Sequence, residues 1–177
     1  FPDIEKFLKK NPKTGALAPK ILNEEDREQA YAYGKFLNLK EIIKNKITPK
    51  KNKNKDKATD KQTNSIISTD WISGAALIVK TEIFKQVGGF DENFFMYFED
   101  MDLCKRIKNR GYNIIVNKNI SITHKLGQSL KNQRDIRKKH YYRSQDYFYK
   151  KHYSLLQYLI LRFLKTALIN LNNHLRR

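Results

Sequence analysis

The sequence predicts an α/β fold with a helical C-terminal extension, on three observations. Two short apolar runs, Ala75–Val79 (AALIV) and Tyr112–Val116 (YNIIV), have the length and composition of buried strands. Between them lie two stretches of helical pattern, TEIFKQV from Thr81 and a segment from about Asp100 to Arg110. Gly88-Gly89 and Gly111 close these where left-handed caps are easy. From residue 131 to 175 the pattern is helical, first basic and aromatic, then amphipathic.

Length and composition suit one domain with appendages. The chain has 177 residues, 40% of them hydrophobic, and a mean hydropathy of −0.73, so a core is available but polar stretches are long. Lys and Arg outnumber Asp and Glu by 36 to 18, a net charge of +18 that suits nucleic acid, anionic lipid or anionic small molecules. The single cysteine, Cys104, excludes an internal disulfide and fits a reducing compartment. No apolar run approaches the ~18 residues of a membrane span. The start, FPDIEKFLKKNPKTG, lacks both the apolar stretch of a signal peptide and an initiator Met, so a processed or trimmed chain, or a fragment, is expected.

In order, residues 1–10 read as a short helix with Ile4, Phe7 and Leu8 on one face, followed by a turn at Asn11–Gly15. Ala16–Leu22 reads as a strand that Pro19 demotes to an edge or splits. Residues 23–43 are ambiguous, with a further short element suggested by Leu37, Leu39, Ile42 and Ile43. Residues 44–65 are rich in Lys and Asn and have no aromatic residue. They cannot bury enough apolar surface to offset ordering, which predicts a flexible loop. Thr81 offers an N-cap with Glu82 in the first turn. In the helix near Asp100, Leu103 and Ile107 share the buried face, while Lys105, Lys108 and Arg110 face water. Ile120–His124 reads as another extended piece. In the last helix Leu156, Ile160, Phe163, Leu164, Ala167, Leu168, Leu171 and Leu175 fall on one side.

The chemistry-bearing residues are few. Glu99, Asp100 and Asp102 sit at a helix start, where acidic side chains satisfy free N–H groups and the helix dipole without any catalytic purpose. Yet Asp91 and Glu92 add acid nearby, and the aromatic approach Phe94–Phe98 could line a sugar or acceptor pocket. A carboxylate at such a floor can serve as general base on an alcohol. His124 has no nearby His or Cys in sequence, so a metal site there would need ligands from elsewhere.

The ordered motifs W-I-S-G-A-A from Trp71, V-G-G-F-D-E, F-F-M-Y-F-E-D-M-D-L-C-K-R, G-Y and H-K-L-G-Q-S resemble the C-terminal half of family 2 glycosyltransferases, most of all the rhamnosyltransferase-like branch that builds bacterial surface polysaccharides. The resemblance covers about residues 1–152 and is densest from Trp71 to Ser129. It implies part of a GT-A fold, a Rossmann-like mixed sheet without its N-terminal nucleotide-binding strands. On that basis residues 1–130 form the end of the catalytic domain and 131–177 a helical extension.

The resemblance further implies inverting transfer from a nucleoside diphosphate sugar, rhamnose by branch, to a saccharide or lipid-linked acceptor. Asp100 matches the family's general base. Glu99 and Asp102 would position the acceptor or support the helix start, Ser73 and Gly74 match a tight segment at the cleft, and Trp71 lines it. Arg143 corresponds to a basic residue near the diphosphate, on the Arg alone. His124 matches a position that in some members helps ligate a divalent metal, magnesium or manganese, whose other ligands would lie outside this chain. No Asp-x-Asp precedes Trp71, and residues 1–22 resemble the segment on the C-terminal side of that metal motif. This polypeptide alone is therefore expected to have little or no activity.

Two other readings remain. A nucleic-acid module is motivated by the charge and by Lys, Arg and Tyr mixed over residues 131–152. However, the charge is concentrated in the loop and the C-terminus, and nucleic acid is not the expected partner. A membrane-surface module built on residues 131–175 is compatible with the glycosyltransferase reading. It would place the protein in the cytoplasm, peripheral on the inner face of the membrane. The same apolar face could instead pack on the catalytic domain or on a second copy, and open sheet edges would also favour a homodimer.

Overall fold

The computed structural model describes residues 2–36, 65–125 and 134–174. The Lys/Asn-rich loop expected over 44–65 lies outside the described residues except for Ser65, as do the element expected around Leu37–Ile43 and the Gly127 and Ser129 of the H-K-L-G-Q-S motif.

Helix α1 (Pro2–Lys10) opens on a proline, tolerated where the N–H would be unpaired. Asp3 and Glu5 in its first turn and Lys9 and Lys10 in its last complement the dipole. Strand β1 (Thr14–Leu22) follows. The pair β2 (Tyr33–Gly34) and β4 (Trp71–Ile72) forms a small antiparallel ribbon. Strands β3 (Ile66–Thr69), β5 (Ile78–Val79) and β6 (Asn113–Thr123) join β1 in a mixed sheet of order β3-β6-β1-β5, in which only β1 and β6 are parallel. Helix α2 (Thr81–Gln86) links β5 to the loop that leads into α3 (Glu99–Asn109). This is an α/β arrangement with a mixed sheet, consistent with part of a GT-A-like domain.

The period-2 rule of strands divides the core. Ala16, Ala18, Ile114 and Val116 face one side and pack with Ile72, Ile83, Leu103, Cys104 and Ile107 under α2 and α3. Leu17 and Ile115 face the other side and meet Ile4, Phe7 and Leu8 of α1.

Several local expectations are revised. β1 is neither an edge strand nor split: it lies inside the sheet, and Pro19 is part of it. The sheet accommodates the proline because β5 pairs only with Ala16 and Leu17, and because the register with β6 shifts between Pro19 and Lys20. The two extended pieces expected at 112–116 and 120–124 are one strand, β6. At that shift Pro19 pairs with Asn117 and Lys20 with Ser121, so β6 bulges rather than stops. Gly74–Ala76 form a 3-10 turn, so the strand expected from Ala75 is only Ile78–Val79. The N-cap of α2 is Lys80, not Thr81, and makes no side-chain cap bond. Lys108 does not simply face water: its Nζ pairs with Asp70 and donates to Thr69 O at 3.3 Å.

Gly15 lies at the first register shift of β1, where a Cβ would stand 2.7 Å from Tyr112 Cβ and closer still to Ile107 Cγ2. Neither neighbour has room to move, Ile107 being fully buried. Gly15→Ala is expected to destabilise by about 1–3 kcal/mol, the usual cost of overpacking. An unchanged urea midpoint would show that this bulge relaxes freely.

Helices α4 (Arg134–His152) and α5 (Leu155–His174) make up the extension. α4 grips the approach to α3 through a separate aromatic cluster, Phe94 and Phe98 closing on the fully buried Phe148. Ser144 Oγ adds a 2.6 Å bond to Met96 O. α5 turns back on α4 through Tyr158 and Leu161, both buried, with Tyr158 OH donating to Asp146 Oδ2 at 3.1 Å. Leu156 and Phe163, expected on the apolar side, are 69% and 74% exposed, so that part of the apolar side does not pack on the described residues. Tyr158 and Leu161 lie roughly opposite them on the helix and take their place, because the short 153–154 link sets which face of α5 meets α4.

Candidate active site

The acidic helix start is built by strain and then by hydrogen bonding. Tyr97 and Phe98, with φ of 66° and 68°, are both left-handed, a conformation that non-glycine residues adopt at a cost. Phe98 is the N-cap and makes no side-chain cap bond. The turn is held instead by burial of Phe98 against Phe148 (ring centroids 5.5 Å apart) and against Tyr141 (5.3 Å).

This turn presents Asp100 to the Ser73–Gly74 segment. Gly74 N–H donates to Asp100 Oδ2 at 2.9 Å, and Met101 N–H donates to Oδ1 at 2.7 Å. A Cβ on Gly74 would stand 3.8 Å from both Asp100 Cβ and Oδ2, an ordinary contact. Ser73 stabilises the approach by capping the 3-10 turn, its Oγ accepting from Ala75 N–H at 3.3 Å. Burial pushes the Asp100 carboxyl above the usual carboxylate range, and the Gly74 and Met101 N–H groups hold back part of that rise. Burial also raises Glu99, and the neighbouring Asp100 charge adds to it. Glu99 Oε2 is buried with no hydrogen-bond partner among the described residues. Two adjacent carboxyls thus both have pKa values above the usual range.

Asp102 is placed differently, two residues on. It is fully buried and faces away into an ion-pair hub. Arg106 Nε donates to its Oδ2 at 2.8 Å, while Lys151 Nζ and His152 Nε2 approach its Oδ1 at 2.8 and 2.6 Å. Lys151 also reaches Asp91 Oδ2 at 2.7 Å, which accepts from Tyr147 OH as well. Burial raises the Asp102 carboxyl, but the bonds from His152, Lys151 and Arg106 outweigh it, and the net shift is downward. With both oxygens taken, Asp102 ties α3 to α4. A groove of about 450 Å³ borders this hub, lined in part by Phe90, Asp91, Glu92, Arg106 and Lys151. None of Trp71, Ser73, Gly74 or Asp100 lines it.

The other expected site residues are dispersed. Trp71 lies over Gly34, where a Cβ would come within 3.0 Å of its ring, and packs on the main core. Arg143 is exposed on α4 beside Ser144, with no described contact to Asp100 or His124. His124 directly follows β6, its N–H donating to Leu22 O at 2.9 Å and its Nδ1 lying 3.3 Å from Gln29 Oε1. The Gln29 amide nitrogen donates to the carbonyls of Leu22 and His124, which leaves Gln29 Oε1 as acceptor. The proton therefore sits on Nδ1, and Nε2 carries the lone pair a metal would use. That nitrogen fits one ligand position. Among the described residues no group of three His, Cys, Asp or Glu side chains could hold an ion.

Sequence reasoning overlooked Gln29, Lys151 and His152. Only the Asp102–Arg106 pair, four residues apart on one helix, carried a sequence signal.

A family described as the N-terminal domain of galactosyltransferase matches residues 61–128, the segment that holds Trp71, Asp100 and His124. The N-acetylglucosaminyl-diphospho-decaprenol L-rhamnosyltransferase of Mycobacterium tuberculosis is 52% identical over 42 residues, 24% of this chain and 14% of that protein. The rhamnosyltransferase WbbL of Escherichia coli is 40% identical over 58 residues, 33% of this chain and 22% of that protein. A hexosyltransferase of low-salt glycan biosynthesis from Haloferax volcanii is 33% identical over 45 residues, 25% and 15% of the two chains. The matches thus span 14 to 22% of these relatives' own length. The resemblance to glycosyltransferases, and to rhamnosyltransferases in particular, is confirmed over part of the chain.

Proposed function

We propose that this chain carries the acceptor-activating side of an inverting glycosyltransferase, with Asp100 as general base. The acceptor hydroxyl oxygen attacks the anomeric carbon of a nucleoside diphosphate sugar. The new glycosidic C–O bond forms as the bond to the diphosphate breaks, and the hydroxyl proton passes to Asp100. The observation that carries this reading is the Asp100 carboxylate itself: half-buried, fixed by two backbone N–H groups, and raised in pKa by its partial desolvation. A base so held needs no reorganisation, and a raised pKa strengthens its pull on an alcohol proton. Rhamnose as the sugar is supported by the names of two relatives above, and a glycan as the product by that of the third; a surface polysaccharide as that product is part of the same proposal.

A divalent metal, magnesium or manganese, belongs to the same proposal. His124 Nε2 would hold it together with ligands outside this chain. Such an ion offsets charge on a leaving diphosphate. The test is transfer from a panel of nucleoside diphosphate sugars by the parent protein, with Asp100→Asn as control. Full transfer by that variant would remove Asp100 as the base.

No helix among the described residues is long and apolar enough to cross a membrane. A peripheral position on an anionic cytoplasmic leaflet is supported instead by α5. Leu155, Leu159 and Phe163, 50 to 74% exposed, recur every four residues, with Leu156 beside them. Lys139, Arg143 and Lys150 are exposed on the adjoining α4. Flotation with vesicles containing anionic lipid is expected and should be lost in Leu155→Ser/Leu159→Ser. Flotation that survives both changes would refute this placement.

A further inference from the structure

The Asp100 carboxylate is bonded by Gly74 and Met101, whereas the chain on both sides of it is held by α4. Ser144 Oγ donates to Met96 O at 2.6 Å, four residues before Asp100. Phe148 packs on Phe98, two residues before, and is fully buried. His152 Nε2 lies 2.6 Å from Asp102 Oδ1, two residues after. Positions 144, 148 and 152 are four apart, so they share one face of α4. That face brackets Asp100 from before and from behind.

The bracketed turn has little to hold it from within. Tyr97 and Phe98 are left-handed in succession, and Phe98 caps the helix without a side-chain bond. Such a backbone persists only where its surroundings over-determine it. Asp102 N–H donates to Phe98 O at 2.8 Å, which closes one helical turn with Asp100 inside it. The Asp102 side chain then fixes the far end of that turn. Of its partners, Arg106 lies on the same helix and moves with it, while Lys151 and His152 come from outside. Burial outweighed by hydrogen bonding keeps the Asp102 pKa depressed, so its oxygens only accept, and His152 Nε2 carries the proton and donates.

We infer that Ser144 and His152 are positioning residues for the reaction assigned to Asp100, an inference that rests on that assignment. They fix the 96–102 turn so that the carboxylate stands at Gly74 when the acceptor hydroxyl arrives. Ser144 is 5% exposed and the His152 side chain 8%, too buried to meet a substrate. Each acts through the chain it holds, Ser144 through Met96 and His152 through Asp102. A misplacement of about 1 Å at a reacting group costs on the order of 10²-fold in rate.

Steady-state transfer by the parent protein, together with its amide NMR spectrum, tests this. His152→Leu is expected to lower kcat about 10- to 100-fold while the KM for donor and acceptor stays within about twofold. It should also move the Gly74 amide proton upfield, as the bond to Asp100 lengthens. His152→Gln, whose amide nitrogen can donate to Asp102 as Nε2 does, should restore both. Ser144→Ala removes a single bond and should show the same two changes to a smaller extent, and it decides the matter if His152→Leu does not fold. Loss of folded protein lowers the apparent kcat but leaves the Gly74 resonance of the folded molecules where it was. The inference is overturned if that resonance or kcat keeps its parent value in both variants, if the change lies in KM alone, or if His152→Gln is as impaired as His152→Leu. Transfer retained by Asp100→Asn would remove Asp100 as base. The Gly74 resonance needs no turnover and would still report whether α4 holds the carboxylate in place.

Discussion

Asp100→Asn is expected to lose glycosyl transfer by about 10²–10⁴-fold, the usual weight of a positioned general base, without losing stability at neutral pH. The two effects have a common source. Asp100 is half-buried beside Gly74, and its pKa is raised because desolvation outweighs the N–H bonds it accepts. A carboxyl whose folded pKa is raised binds its proton more tightly in the folded chain. Its stabilising contribution is complete below the ordinary aspartate pKa and disappears as pH rises through the folded value. At neutral pH the charged group is therefore a liability to the fold that an amide removes, while the amide oxygen can still accept from Gly74 N–H. Thermal melts of the two proteins should separate at pH 7 in favour of the asparagine variant and converge as pH falls into the carboxylate range. Transfer by the parent should decline on its acid side through a pKa above that of a free aspartate. A variant that melts well below the parent at pH 7 would show that the carboxylate holds the fold together instead.

Asp102→Ala should behave in the opposite way, costing about 3–5 kcal/mol of stability because it removes the buried carboxylate on which three polar side chains converge and leaves Arg106 and Lys151 without that counter-charge. Arg106, Lys151 and His152 all converge on this fully buried carboxylate, and Lys151 and His152 belong to α4. Removing it frees Lys151 and His152 of the extension from α3, while the Lys151 pair with Asp91 remains. Its folded pKa is depressed, the bonds from His152, Lys151 and Arg106 overcoming the effect of burial. The sign reverses accordingly: the contribution is present above the ordinary aspartate pKa and is lost as pH falls through the depressed folded value. Acid titration followed by urea unfolding should show the parent losing its advantage over Asp102→Ala at the acid end. Equal urea midpoints for the two proteins at pH 7 would reduce the hub to a set of surface-strength pairs.

Two aspartates of one helical turn thus have opposite environments, and the sequence around them does not distinguish the two. Read as E-D-M-D, both are acids at a helix N-terminus. Asp100 differs only because β4 and the 3-10 turn after it bring Gly74 to its side, from 26 residues away. Asp102 differs because α4 returns His152 from 50 residues away.

The sequence by itself determined what depends on near neighbours. The apolar stretches at 16–22 and 112–116 marked strands. Leu103 and Ile107 marked the inner face of α3, and Gly111 marked its end, with φ of 85°. The order of short motifs from Trp71 to His124 determined the resemblance, because such motifs are local. Only the tertiary structure decided the rest. It seated Pro19 inside the sheet by leaving its neighbour strand short, and joined two expected strands into β6 through a bulge. It put Tyr158 and Leu161 on the packed face of α5 and gave His124 its partner in Gln29. The physical reason is common to all of these. Periodicity and capping act within one or two turns of chain. Desolvation, ion pairing and the choice of a packed face depend on which distant segments arrive, and a carboxylate's chemistry follows from those arrivals.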